Sequence, residues 1–135
     1  MSAKAWVLIV DDQRELREFL RYTLKDKYAV AVAGEAEEAI KYMTDYQVDL
    51  VLLDFNMPKM DGLTALKEIK KIRPDTEVIM MTGYAPPDTR KEALESGAFA
   101  FFMKPFDIDE LLKTINEALK KCNLRTMSET TIDKK

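Results

Sequence analysis

A chain of 135 residues, 47% apolar and 33% charged, holds enough apolar material for one hydrophobic core and too much for a disordered segment. Its net charge of -3 with both signs interspersed argues against a nucleic-acid-binding surface, and its single cysteine, Cys122, excludes an internal disulfide. The absence of histidine removes Ser-His-Asp and Cys-His catalysis and any histidine-ligated metal, and without GxxxxGK(S/T) or GxGxxG there is no phosphate cradle for a nucleotide.

No apolar run reaches membrane-spanning length, and the opening MSAKAWVLIVDD lacks the long apolar core of a signal peptide. The expectation is a cytoplasmic protein that uses carboxylates, hydroxyls and lysines for whatever chemistry it performs.

In chain order, Trp6 to Val10 is a continuous apolar run suited to a strand buried on both faces. Leu16, Phe19, Leu20 and Leu24 then recur at helical spacing. Tyr28 to Val32 predicts a second strand, and Ala36, Ala39, Ile40 and Met43 a second helix, with acidic residues at its start that suit the helix dipole. Leu50 to Leu53 predicts a third buried strand, and the turn signal Asp61-Gly62 leads into a third helix carrying Leu63, Leu66 and Ile69. Val78 to Met81 is a fourth strand, broken at Gly83, and Pro87 to Ser96 a fourth helix stopped by Gly97. Ala98 to Met103 is a fifth strand. Ile108, Leu111, Leu112, Ile115, Ala118 and Leu119 form the cleanest amphipathic helix, with Asp107 as its N-cap. The apolar period ends near Asn123, so residues 1–122 are expected to form one domain and 123–135 a polar tail or the start of a linker.

Five strand-helix pairs with near-continuous apolar strands imply a parallel sheet covered by helices on both faces. Sites in such sheets form outside the carboxyl ends of the strands. There the sequence places Asp11-Asp12 after the first strand, Asp54 after the third, Thr82 after the fourth and Lys104-Pro105 after the fifth. Singly, each has an ordinary explanation: a turn or cap aspartate, a β-branched threonine, a solvated lysine. Jointly they assemble three acids, a hydroxyl and an ammonium on one edge. Three clustered carboxylates repel, and a hard divalent cation relieves that repulsion; Mg²⁺ suits a shallow oxygen-lined site, with Mn²⁺ as an alternative. A carboxylate nucleophile, a metal, a hydroxyl and a lysine form a set suited to phosphoryl transfer.

The segments VLIVDDQ, LVLLDFNMPKMDG, VIMMTGY and FMKPFDIDEL, in this order and spacing, resemble the receiver domain of bacterial two-component response regulators from about Trp6 to Lys121. IVDDQ and KPFDIDEL are most similar to the single-domain receivers of phosphorelays. The resemblance implies a flavodoxin-like doubly wound α/β fold with strand order 2-1-3-4-5. It implies that Asp54 is the phosphoacceptor, that Asp12, Asp54 and the Asn56 backbone carbonyl bind Mg²⁺ directly, and that Asp11 acts through a coordinated water. Thr82 would hydrogen-bond the phosphoryl group and shift toward it, Lys104 would pair with a phosphoryl oxygen, and the Lys104-Pro105 peptide would be cis. Phe101 falls at the position of the family's rotameric switch, and lacks the hydroxyl of the tyrosine often found there. The side chains of Asn56 and Tyr84 fall where the family tunes the lifetime of the aspartyl phosphate.

The implied role is a signalling phosphoacceptor that catalyses only its own phosphorylation and dephosphorylation. The donor would be a sensor histidine kinase or a histidine phosphotransfer protein, since this chain has neither histidine nor nucleotide cradle. The downstream effector is unspecified, no nucleic acid or membrane is engaged by this domain, and a monomer or weak homodimer is expected. Three other readings stand beside it: a receiver excised from a longer transcriptional or enzymatic regulator, a small-substrate phosphohydrolase with an aspartate nucleophile, and an interaction domain that is never phosphorylated. The hydrolase reading is weakened by Asn56, which occupies the place of the second aspartate usual in those enzymes. Met57, Met60 and Met103, beside the site, offer adaptable surface for a docking partner.

Overall fold

A computed structural model describes the backbone of residues 4–133 and the side chains through residue 121. Strands and helices alternate: β1 (Trp6–Val10), α1 (Arg14–Leu24), β2 (Ala29–Ala33), α2 (Ala36–Asp45), β3 (Leu50–Asp54), α3 (Gly62–Ile72), β4 (Glu77–Thr82), α4 (Thr89–Glu95), β5 (Ala100–Met103) and α5 (Ile108–Asp133). The strands form one parallel sheet in the order β2-β1-β3-β4-β5. This is the doubly wound α/β architecture expected from the alternating pattern.

The unbroken apolar runs are explained by burial on both sides of the sheet. Leu8, Val10, Val51, Leu53, Val78 and Met80 face one core, which α2, α3 and α4 close with Ala39, Met43, Leu66, Ile69 and Ala93. Their alternating neighbours Val7, Ile9, Leu50, Leu52, Ile79 and Met81 face a second core, closed by Leu20 and Leu24 of α1 and Leu111 and Ile115 of α5. At roughly 1.5–3 kcal/mol for each large side chain removed from water, these two layers dominate the stability of the sheet.

Register then places the site. Val10 lies opposite both Ala33 and Leu53, Asp54 opposite Met81, and Thr82 opposite Met103. The residues at the carboxyl ends of β1, β3, β4 and β5 are therefore brought to one edge.

Local chemistry sets the boundaries. Asp61 caps α3 by accepting the Thr64 N–H at 2.9 Å, and Asp107 caps α5 by accepting the Asp109 N–H at 2.9 Å. Gly97, with φ of 110°, ends the turn after α4 in a conformation that side chains disfavour. β2 sits one residue later than the sequence pattern suggests, because the Tyr28 N–H is taken by the Leu24 carbonyl at the end of α1. α4 begins only at Thr89, since Asp88 before it takes a left-handed conformation with φ of 74°.

The helix α5 runs on to Asp133, through most of the segment 123–135 read as a polar tail or linker start. No glycine or proline interrupts residues 106–133, so loss of the apolar period does not end the backbone helix. Residues 1–3 and 134–135 of the two segments drawn from the sequence lie outside the described residues. Among the described residues, no helix is long and apolar enough to cross a membrane.

Candidate functional site

β1 delivers its last apolar residue to the sheet and then turns at Asp11, whose N–H donates to the Ala33 carbonyl at 3.1 Å. Asp11 is fully buried and its polar atoms are all engaged. Oδ1 accepts the Gln13 N–H at 2.8 Å, Oδ2 lies 2.8 Å from Lys104 Nζ, and the main-chain oxygen accepts Arg17 Nη1 at 2.7 Å. Asp12 is exposed.

β3 carries Asp54 at its tip, 1% exposed. Its Oδ1 accepts the Asn56 N–H at 3.1 Å and lies 3.5 Å from Lys104 Nζ. The chain beyond it is held by the Phe55 N–H on the Met81 carbonyl at 2.7 Å, and by Gly62, whose N–H donates to the Phe55 carbonyl at 2.9 Å. Gly62 has no room for a side chain: a Cβ there would lie 2.5 Å from Phe55 Cα and 2.7 Å from the Asp54 carbonyl oxygen. The turn signal Asp61-Gly62 is thus also the buttress under Asp54.

One carboxylate oxygen each from Asp11, Asp12 and Asp54 lies within 4.8 Å of the others. Asp12, Gln13, Asp54, Asn56, Gly83 and Lys104 line the open cleft above them. The electrostatic consequence falls on Asp54, whose carboxyl is pushed up to about 6. Burial is the main cause and the Asp11 charge the next; the Asn56 N–H and Lys104 oppose them, and Asp12 adds a little. Three oxygen donors with one lysine among them suit a hard divalent cation, which would return Asp54 to its ionised form.

Thr82 is fully buried at the end of β4, and its hydroxyl lies 2.6 Å from both Asn56 Oδ1 and the Tyr84 carbonyl. Asn56 Nδ2 donates to the same Tyr84 carbonyl at 2.8 Å. Tyr84 itself is 72% exposed. Lys104 reaches the acids from the end of β5, and its peptide bond to Pro105 is cis.

Phe101 is set apart from this cluster. It is turned inward and 8% exposed, in the core beside Ala93 and Ala98, and its carbonyl accepts Arg90 Nη1 at 3.4 Å. Phe102 points to the opposite core, where it meets Phe106 edge-on. Met57 and Met60 are half-buried against the first core, whereas Met103 is exposed.

Three contributors escaped the reading by strand ends. Gln13 caps the cleft with Oε1 3.5 Å from Lys104 Nζ, and its signal was its place directly after Asp11-Asp12. Arg17 lies one helical turn further on and clamps the Asp11 carbonyl. Gly62 was legible as a turn, but its role under Asp54 depends on a contact between separate elements.

Comparison with known proteins agrees with the fold. The profile described as response regulator receiver domain matches residues 7–116. The regulatory protein AtoC of Escherichia coli is 40% identical over 121 residues, covering 89% of this chain and 26% of its own length. The chain thus spans about a quarter of that relative. Sporulation initiation phosphotransferase F of Bacillus subtilis is 42% identical over 116 residues, covering 85% of this chain and 90% of that protein. Among solved structures, a CheY-like response regulator receiver domain protein from Methanospirillum hungatei superposes with a TM-score of 0.87 at 33% identity, covering 92% of this chain and 99% of that one.

Proposed function

The chain belongs to the response regulator receiver domain family, and from that membership we propose that Asp54 accepts a phosphoryl group from a phosphohistidine on a partner protein. Receiver domains take phosphate from histidine kinases or phosphotransfer proteins, and this sequence carries no histidine of its own to serve as the donor. The observation that carries the reading is the position of Asp54: buried at the tip of β3, beside two further acids, with Lys104 Nζ 3.5 Å from its Oδ1.

In the reaction, a carboxylate oxygen of Asp54 attacks phosphorus, an O–P bond forms, and the N–P bond to the donor imidazole breaks. The β3 strand and the Gly62 contact hold the nucleophile still. Lys104 supplies a fixed positive charge for the phosphoryl oxygens, and Thr82 a hydroxyl once it leaves its present partners. Asp12, Asp54 and the Asn56 carbonyl would hold Mg²⁺, or Mn²⁺ in its place. The metal supplies neutralisation of the acids and of the charge on the transferred group. Both Asp11 oxygens are already engaged, by the Gln13 N–H and Lys104, which supports contact through water for that residue.

The role is that of a signalling domain acting on its own aspartate, not of an enzyme with a separate substrate. Phe101 would report the change from its inward position, Asn56 and Tyr84 would set how long the phosphoryl group survives, and the domain, monomeric or weakly dimeric, would act in the cytoplasm. The 26% coverage of AtoC supports a second reading, a receiver belonging to a longer regulator, while the 90% coverage of the sporulation phosphotransferase supports a receiver acting alone.

The test is incubation with Mg²⁺ and acetyl phosphate or beryllofluoride. A stoichiometric adduct lost in Asp54→Ala is expected. No adduct in the parent protein defeats the proposal, and rapid multiple turnover on assorted phosphate esters favours a phosphohydrolase.

A further inference from the structure

The side chain of Asn56 joins two loops that the sheet keeps separate. Its Oδ1 receives the Thr82 hydroxyl at 2.6 Å, the Gly83 N–H at 3.2 Å and the Tyr84 N–H at 3.4 Å, while its Nδ2 donates to the Tyr84 carbonyl at 2.8 Å. The orientation of the amide follows from its surroundings: turned over, its NH₂ would face two main-chain N–H donors. Thr82 has one hydroxyl proton, and both acceptors within 2.6 Å of it belong to this network. The Tyr84 N–H also donates to the Thr82 oxygen at 3.1 Å.

We propose that the Asn56 amide is a latch that holds Thr82 and the loop after β4 in the unphosphorylated arrangement, so that modification of Asp54 must break it to recruit the Thr82 hydroxyl. The proposal rests on the reading of Asp54 as phosphoacceptor. Asn56 is a positioning residue here, acting through Thr82. Its own N–H stays on Asp54 Oδ1 at 3.1 Å, so the latch is built on the loop that carries the modified residue. A phosphoryl group at Asp54 competes for the one Thr82 proton with Asn56 Oδ1 and with the Tyr84 carbonyl that Asn56 Nδ2 holds in place, and Thr82 cannot serve this network and the phosphoryl oxygen together. The free energy of the latch therefore opposes the switched state by the amount those hydrogen bonds contribute.

Amide hydrogen exchange read by NMR, together with beryllofluoride titration in Mg²⁺, tests this. In the unmodified protein without Mg²⁺, Asn56→Ala is expected to speed exchange of the Gly83 amide about tenfold, and that of Tyr84 less because its N–H keeps Thr82 Oγ1 at 3.1 Å, leaving Leu52 and Ile79 in the sheet centre unchanged. Asn56→Asp keeps an oxygen acceptor for both amides and is expected to retain their protection. Asn56→Ala should bind beryllofluoride more tightly, by roughly three- to tenfold. Unchanged exchange at Gly83 overturns the latch. Faster exchange with equal or weaker beryllofluoride binding also overturns it, reducing Asn56 to a loop support. Failure of the parent itself to take up beryllofluoride overturns the phosphoacceptor reading instead, a distinct result.

Discussion

Lys104 Nζ lies 2.8 Å from Asp11 Oδ2 and 3.5 Å from Asp54 Oδ1, so the cation of the site is held most closely by an acid other than the proposed nucleophile. Asp11 is fully buried and Lys104 largely so, which makes this pair far more consequential than the exposed pairs Arg21–Glu18 and Lys71–Glu68. The arrangement restrains the lysine and leaves Asp54, buried as it is, among the residues that line the cleft.

Removal of that lysine leaves three acids without their internal cation. Lys104→Ala should destabilise the metal-free protein by about 1–3 kcal/mol, and saturating Mg²⁺ should restore most of the loss. Urea denaturation with and without Mg²⁺ measures both. A deficit that Mg²⁺ leaves untouched would show that Lys104 contributes by packing instead of charge.

The raised Asp54 pKa makes a pH prediction with a defined sign. The folded carboxyl titrates at about 6 against an ordinary value of 3.8, so the folded state binds the proton more tightly. The associated stability is complete below about pH 4 and is lost as the pH rises through about 6. Metal-free Asp54→Asn should therefore exceed the parent by about 1–3 kcal/mol near pH 7, with the two converging near pH 4. Denaturation in a chelator across this range checks it, and a gap that widens toward acid pH would contradict it.

Gly62→Ala places a methyl group 2.5 Å from Phe55 Cα and 2.9 Å from Met80 Cε. The methionine can give way, but the backbone at Phe55 cannot without moving Asp54. A loss of about 2 kcal/mol or more in stability is expected, together with weaker beryllofluoride uptake. Wild-type uptake in a destabilised Gly62→Ala protein would separate the buttress from the site.

Arg17→Ala deletes the guanidinium that holds the Asp11 carbonyl at 2.7 Å. The Asp11-Asp12 turn should loosen, weakening Mg²⁺ binding by about three- to tenfold, on the order of 1 kcal/mol. Isothermal titration with Mg²⁺ reads the change; equal affinity would confine Arg17 to a structural role.

Tyr84 is exposed and directly follows Gly83, which lines the cleft, and its ring is our candidate for shielding an aspartyl phosphate from water. Tyr84→Ala should lose the phosphoryl group roughly two- to fivefold faster, about 0.4–1 kcal/mol in the barrier. Decay of the phosphorylated protein after donor removal gives the rate, and an unchanged rate would rule out shielding by the ring.

The sequence by itself determined the alternation of five strands and five helices, because the central strands β1, β3 and β4 bury both faces and each helix only one. Its apolar runs also ended on Asp11, Asp54, Thr82 and Lys104, and parallel pairing turns such ends into a common edge. Local pattern was weaker where another element competes for the backbone, as at Tyr28, whose N–H belongs to α1, and at Asp88, whose left-handed turn delays α4. Only the tertiary structure decided which acid takes the lysine, that Gly62 has no space for a methyl group, and that the Asn56 amide holds Thr82. Those relations join residues 93, 26 and fewer positions apart through side-chain geometry, and hydrogen bonds of that kind have no period along the chain. Periodicity encodes which face of an element is buried, while the partner of a polar atom is settled only when the elements are packed.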